Sequence, residues 1–314
     1  MTVGELGEFG VVSRIAGRLS HSASVLLGPG DDAAVLAAPD RRVVVTTDLL
    51  LEGRHFRRDW SSGYEIGRKA AAQNLSDIMA MGATPTGLFV GLGMPADTTV
   101  EWLDALSDGF RDECALVGAG VAGGDIAKSD TIVLGVTALG DLGGIAPVTR
   151  SGASPGDQVA VAGRLGHAAA GLALLSAGAV SDAFAELLLA HRRPEPPYEQ
   201  GPRAAALRAT AMVDVSDGLV QDLGHVAAAS GVAVILDPGG FPVSAPLADA
   251  ARQVGADPLD WILTGGDDHA LAAAFPPEVR LPPPWRVVGA VAAGHGVQVK
   301  GRAEAPGGWD HFRG

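Results

Sequence analysis

YEIGRKAAAQNLSDIMAMGATPTGLFVGLG, residues 64–93, changes its periodicity partway along. Between 64 and 82, Ile66, Ala70, Gln73 or Asn74, and Asp77 recur every three or four residues, the spacing of one helix face. Gly82 interrupts that pattern, and GLFVGLG (87–93) is a short apolar run between glycines, which predicts a strand. The alternation extends both ways. VVVTTDLLL (43–51), TIVLGVTALG (131–140), DQVAVAG (157–163), VAVILD (232–237), HALAAAF (269–275) and RVVGAV (286–291) read as strands. VEWLDALSDGFRDECALVG (100–118) reads as a helix with Trp102, Leu106, Phe110 and Ala115 on its apolar stripe. Strands alternating with helices predict an α/β chain.

With 314 residues, 47% of them hydrophobic, the chain is long enough for two domains. Gly, Ser and Pro cluster in TRSGASPGDQ (149–158), which divides it into 1–148 and 149–314. HRRPEPPYEQGPR (191–203) has four prolines and reads as an irregular connector within the second domain. The net charge of −13, with only Lys69, Lys128 and Lys300 as lysines, argues against nucleic acid, which selects basic surfaces. A single cysteine, Cys114, excludes an internal disulfide and a thiolate zinc site, and reads as a helix-face core residue. The N-terminus has acids and no signal-peptide core. The uncharged stretch at 168–180 is shorter than the ~20 residues a membrane span needs. The expectation is a cytoplasmic protein with no membrane partner.

Common phosphate signatures fail. No Gly-Lys dipeptide occurs, so there is no Walker A loop. GAGVAG (118–123) matches G-x-G-x-x-G, but a helix precedes it and a strand follows, the reverse of the dinucleotide-binding order. DVSDG (214–218) lacks the spacing of a calcium loop. Aspartates instead recur after short apolar or glycine runs: Asp32 in GPGDD, Asp48 after VVVTT, Asp77 in NLSD, Asp125 in AGGD, Asp214 and Asp217 in DVSDG, Asp267 and Asp268 in TGGDD. Each alone is plainly a turn or cap residue, and Ser216 or Asp217 is a candidate cap for a helix at 218–230. Together, acids beside glycines suit Mg²⁺ bound with phosphates, because hard cations take carboxylate oxygens and glycines let phosphate approach backbone amides.

GPGDDAAV, TTDLLLEGRHF, NLSDIMAMGATP, AGGD, VTRSGASPGD, DVSDGLVQDLGH, TGGDDHALAAAF and GGWDHF follow one another in the order seen in thiamine-monophosphate kinases, within a match that spans residues 5 to 312. On these motifs the chain resembles that family. The resemblance implies a two-domain aminoimidazole ribonucleotide synthetase-like fold whose N-terminal sheet pairs across a homodimer. It implies ATP and thiamine monophosphate as substrates, several Mg²⁺ ions, and thiamine diphosphate as product. It also implies site residues: Asp32, Thr46, Thr47, Asp48, Asp77, Asp125, Asp214 and Asp217 for metal; Gly124, Arg150 and Ser216 for ATP; His55, Asp267 and Trp309 for the thiamine substrate. Asp77, Asp125 and Asp217 take the catalytic part.

Two motifs depart from the family pattern. Gly-Gly-Glu-Asp-Tyr-Glu reads Gly265-Gly266-Asp267-Asp268-His269-Ala270, and the usual Tyr before Asp-His-Phe is Trp309. The expected chemistry is direct transfer between phosphates, which needs no strong base because phosphate is already nucleophilic; positioning and charge neutralisation do the rest. The rival expectations are another ATP-using enzyme of this fold and a silent nucleotide- or metal-binding homologue. The selenophosphate synthetase and hydrogenase-maturation branches fit poorly, since they use terminal cysteines and Cys114 is internal.

Overall fold

A strand needs alternation and a partner; the first sheet shows both. The computed structural model describes residues 1–20, 22–29, 33–302 and 307–308. Asp32 and Trp309, both expected at the site, lie outside these residues. The chain divides into two compact units, Met1–Ile78 with Ala83–Ile145, and Met79–Gly82 with Ala146–Gly314.

The first unit runs α1 (Val3–Leu6), α2 (Glu8–Ala16), β1 (Val25–Leu27), β2 (Val35–Leu36), β3 (Val44–Leu51), α3 (Gly63–Ala80), β4 (Thr84–Met94), α4 (Val100–Ala115), β5 (Val121–Lys128) and β6 (Val133–Asp141). Its main sheet has the order β3-β6-β4-β5, antiparallel except for the parallel β4–β5 pair. Leu50, Leu88, Leu134 and Val136 are fully buried on one face, as are Ile66 and Ala70 of α3. Glycines let α3 and α4 meet backbone to backbone: a side chain at Gly67 would run into the Leu106 carbonyl, and one at Gly109 into that of Tyr64. Arg68 pairs with buried Glu113 across this contact. Cys114 is fully buried on α4, as expected, while Ala115 is exposed and leaves the predicted stripe.

The other face of the sheet is open. Val45 is 59% and Leu49 60% exposed, and the alternation along β3 brings Thr47 and Leu51 to the same side.

The second unit adds β7 (Gln158–Ala162), α5 (His167–Ser176), α6 (Ala185–Arg192), α7 (Gln200–Ala206), β8 (Ala211–Val215), α8 (Leu219–Ser230), β9 (Ala233–Leu236), α9 (Ala245–Val254), α10 (Pro258–Thr264), β10 (Ala270–Phe275), β11 (Arg286–Ala292) and β12 (Gly296–Val299). Its sheet order is β12-β9-β11-β7-β10-β8. Every residue of β8 and β10 is buried. The connector at 191–203 differs from expectation: α7 begins at Gln200, and Pro202 fits because the first helical turn needs no N–H from it.

Candidate active site

Thr46 and Asp48 lie on the face of β3 that turns toward α3, since successive strand residues point to opposite sides. The Thr46 hydroxyl donates to Asp77 Oδ2 at 2.6 Å. Asp77 stands in the last turn of α3, where unpaired carbonyls disfavour negative charge. An acid placed against the helix dipole is a poor stability choice, and one bound to a hydroxyl is well ordered. One turn earlier, buried Asn74 donates to the Ala70 carbonyl at 3.0 Å, and its Oδ1 has no partner among the described residues. Thr47 is not brought to this group. Its hydroxyl faces the open side, donating to the Val136 carbonyl at 3.1 Å and accepting from Thr137 at 3.1 Å.

Asp125 corrects one expectation. It stands within a strand rather than at a turn, opposite Gly91 in the parallel β4–β5 pair, while Asp48 lies inside β3. Gly124 sits against the Val90 carbonyl with no room for a side chain. Gly124 and Asp125 form the polar edge of an apolar cleft lined by Ile15 of α2, Leu103 and Phe110 of α4, and Val90 of β4. His55 lies just beyond β3, where its Nδ1 accepts from the Leu51 N–H at 3.0 Å; that bond leaves the proton of a neutral ring on Nε2.

In the second unit, β8 delivers Asp214 and the turn to α8 delivers Ser216 and Asp217. The expected cap by either side chain is not what forms. The cap residue is Gly218, at φ 121°, and a side chain there would strike the Thr264 carbonyl. Instead Asp222, inside the helix, accepts from the N–H groups of Ser216, Asp217 and Gly218, each at 3.1 Å. Burial, reinforced by the nearby Asp214, pushes its carboxyl up to about 7. Asp267 N–H donates to the Ser216 carbonyl at 2.8 Å and His269 N–H to that of Val215 at 3.0 Å. Both donors hold the left-handed conformation, with φ 67° and 51°. The His269 ring lies 3.2 Å from Asp214 Oδ2, with both residues buried. Asp268 is directed away, accepting from the Ala168 N–H at the start of α5, and burial pushes its carboxyl up to about 7 as well.

Arg150 is not brought to this turn. It is exposed, and its carbonyl accepts from Ser230 at the opposite end of α8. Asp222 and His269 were missed from sequence. Asp222 had a signal: Leu219, Asp222, Leu223 and Val226 share the buried face of α8, and an acid in that stripe needs a reason. Among the described residues, no three His, Cys, Asp or Glu side chains gather as a metal-binding group.

The profile of the AIR synthase related protein N-terminal domain matches residues 30–142. The thiamine-monophosphate kinase of Mycobacterium tuberculosis (strain ATCC 25618 / H37Rv) is 49% identical over 294 residues, covering 93% of this chain and 87% of that protein. The chain belongs to the thiamine-monophosphate kinase family. The crystal structure of the family member from Stenotrophomonas maltophilia K279a superposes with a TM-score of 0.84 at 36% identity, covering 95% of this chain and 98% of that one. A structure described as AaThiL complexed with AMPPCP and TMP gives 0.79 at 33% identity, over 99% of each chain. The mixed helix-and-sheet fold expected from sequence is thus the fold of this family.

Proposed function

We propose that the protein transfers the γ-phosphoryl group of ATP to the phosphate of thiamine monophosphate, giving ADP and thiamine diphosphate. The observation that carries this is the relative complexed with AMPPCP and TMP, whose fold the chain matches over 99% of its length. The rival readings, a different enzyme of this fold or a silent homologue, have no comparable support.

The donors present are of the kind Mg²⁺ selects: carboxylates and hydroxyls, with no sulfur and with Asp48, Thr46 and Asp77 on facing surfaces of β3 and α3. In the first unit Asp48, Asp77 and Asp125 would hold Mg²⁺, with Asp32 added from its sequence motif; in the second unit Asp214 and Asp217 are the metal-binding candidates. Thr46 would serve through its hydroxyl, which already orders Asp77, and Thr47 through its carbonyl, since its hydroxyl is engaged across the sheet. Bound Mg²⁺ supplies positive charge that offsets the charge of the phosphates.

The residues of the chain position the reactants. The apolar cleft beside Gly124 excludes water from the base of ATP. Ser216 contacts its phosphates. His55, through Nε2–H, donates to the phosphate of the thiamine substrate; Asp267 and Trp309 contact the rest of that molecule. Asp77, Asp125 and Asp217 are the residues on which the rate depends most. A second copy of the chain covers the open sheet face around Val45 and Leu49, giving a homodimer. No helix among the described residues is long and apolar enough to cross a membrane, and we assign the protein to the cytoplasm.

The test is direct. Purified protein with Mg-ATP is incubated separately with thiamine monophosphate, thiamine and formylglycinamidine ribonucleotide, and products are separated by chromatography. Thiamine diphosphate and ADP in equal amounts, from the first mixture alone, are expected. ADP formed only with the ribonucleotide overturns the proposal. Light scattering on the same preparation should give twice the chain mass; a monomer removes the dimer.

A further inference from the structure

A carboxylate buried in an apolar helix stripe is costly unless several donors satisfy it. Asp222 is 2% exposed, among Leu219, Leu223 and Val226, and it satisfies itself with three consecutive backbone N–H groups. All three belong to the turn that carries Ser216 and Asp217. At ordinary helix starts a turn side chain does this work. Here the cap position is a glycine, and the acceptor comes from a turn further along the helix.

Three carbonyls of the turn are also fixed. The carbonyls of Val215 and Ser216 accept from His269 and Asp267, and that of Gly218 accepts from Asp222 N–H at 2.9 Å. On the other side, Gly266 packs against the Ser216 carbonyl and Gly218 against Thr264, at separations that only glycine allows. The turn is therefore clamped between two segments, and one carboxylate oxygen, Oδ2, organises every N–H at its centre.

We propose that Asp222 is a positioning residue for nucleotide binding: by holding the N–H groups of Ser216, Asp217 and Gly218, it sets where the Ser216 and Asp217 side chains point. The proposal rests on the phosphoryl-transfer reading for what those side chains bind, but not for the clamp itself. Three full-length variants test it. Asp222→Ala removes the acceptor, Asp222→Asn keeps one acceptor oxygen in place, and Asp222→Glu keeps the charge but shifts the oxygens by one methylene.

Three measurements are made on each folded variant: hydrogen–deuterium exchange of the 216–218 amides, affinity for Mg-AMPPCP by calorimetry, and KM and kcat for both substrates. In Asp222→Ala the amides should exchange at least about tenfold faster, and kcat should fall on the order of 100-fold, the usual effect of about 1 Å of misplacement. Affinity for Mg-AMPPCP should fall with it, while KM for thiamine monophosphate stays unchanged. Asp222→Asn should restore exchange and affinity to within a few-fold, and Asp222→Glu should not. If Asp222→Ala does not fold, the contrast between Asn and Glu decides. Unchanged exchange and affinity in Ala or Glu overturn the proposal, as does a loss of kcat with both KM values constant, which marks a purely structural role. If the wild-type protein binds Mg-AMPPCP but forms no thiamine diphosphate, the proposed reaction fails while exchange and affinity still decide the role of Asp222.

Discussion

The two units carry their acids on opposite ends of helices. In the second, Asp214, Ser216 and Asp217 precede α8, whose N-terminal amides favour negative charge. In the first, Asp77 stands in the last turn of α3, where the helix opposes it, steadied by the Thr46 hydroxyl. The fold itself supports negative charge at one place and not at the other. A carboxylate kept where the backbone disfavours it is the better marker of function, because the helix end gives no reason to keep it.

Asp77→Asn should break this contrast most severely. It is expected to lower kcat on the order of 1,000-fold at saturating Mg²⁺, the scale of losing a preorganised electrostatic group. Unfolding free energy should change by no more than about 1 kcal/mol, since the lost charge was opposed by the dipole. Activity within a few-fold of wild type would remove Asp77 from the proposed machinery. On the α8 side the vulnerable feature is backbone shape. Gly218→Ala forces a side chain into a left-handed residue against Thr264, and urea unfolding should show a loss of roughly 2 kcal/mol. An unchanged midpoint would mean the turn has slack to spare.

Smaller substitutions sharpen the comparison. Thr46→Val deletes the bond to Asp77 and should reduce kcat by about tenfold, the usual worth of a hydrogen bond to a charged group. Thr47→Val, on the open face of the same strand, should leave kcat within about twofold; equal losses in a side-by-side assay would contradict the division of the two faces. A further test of the second unit concerns Asp268, at the start of α5. Burial raises its folded carboxyl from 3.8 to about 7, so the folded protein holds this proton more tightly than the unfolded chain does. Its contribution is complete below about pH 4 and is lost as pH rises through about 7. Wild type should therefore lose stability relative to Asp268→Asn between pH 5 and 7, by on the order of 1 kcal/mol per pH unit. Parallel melting curves across that range would exclude the shift.

Much of this was legible in advance where periodicity was strong. The 64–93 stretch gave α3 and β4 because its apolar spacing changes at Gly82. The buried run at 269–275 gave β10. Strand β5 was hidden because VAGGDIAK is mostly small residues, and its partner β4 supplies the bulk. Asp125 was consequently read at a turn. His269 escaped for a different cause: its significance lies in what it meets across the fold, and single-residue patterns carry no record of a partner 55 positions away.

Cys114 has a practical consequence. It is the only cysteine in the chain, fully buried against the α3 side of α4, and burial pushes its thiol up to about 12. At neutral pH it is therefore almost wholly the unreactive thiol rather than the nucleophilic thiolate. A cysteine introduced on the surface becomes the single labelling site of an otherwise silent protein. One fluorophore or spin probe at Val45, or beside Ser216, can then report subunit pairing or nucleotide arrival with no background to subtract.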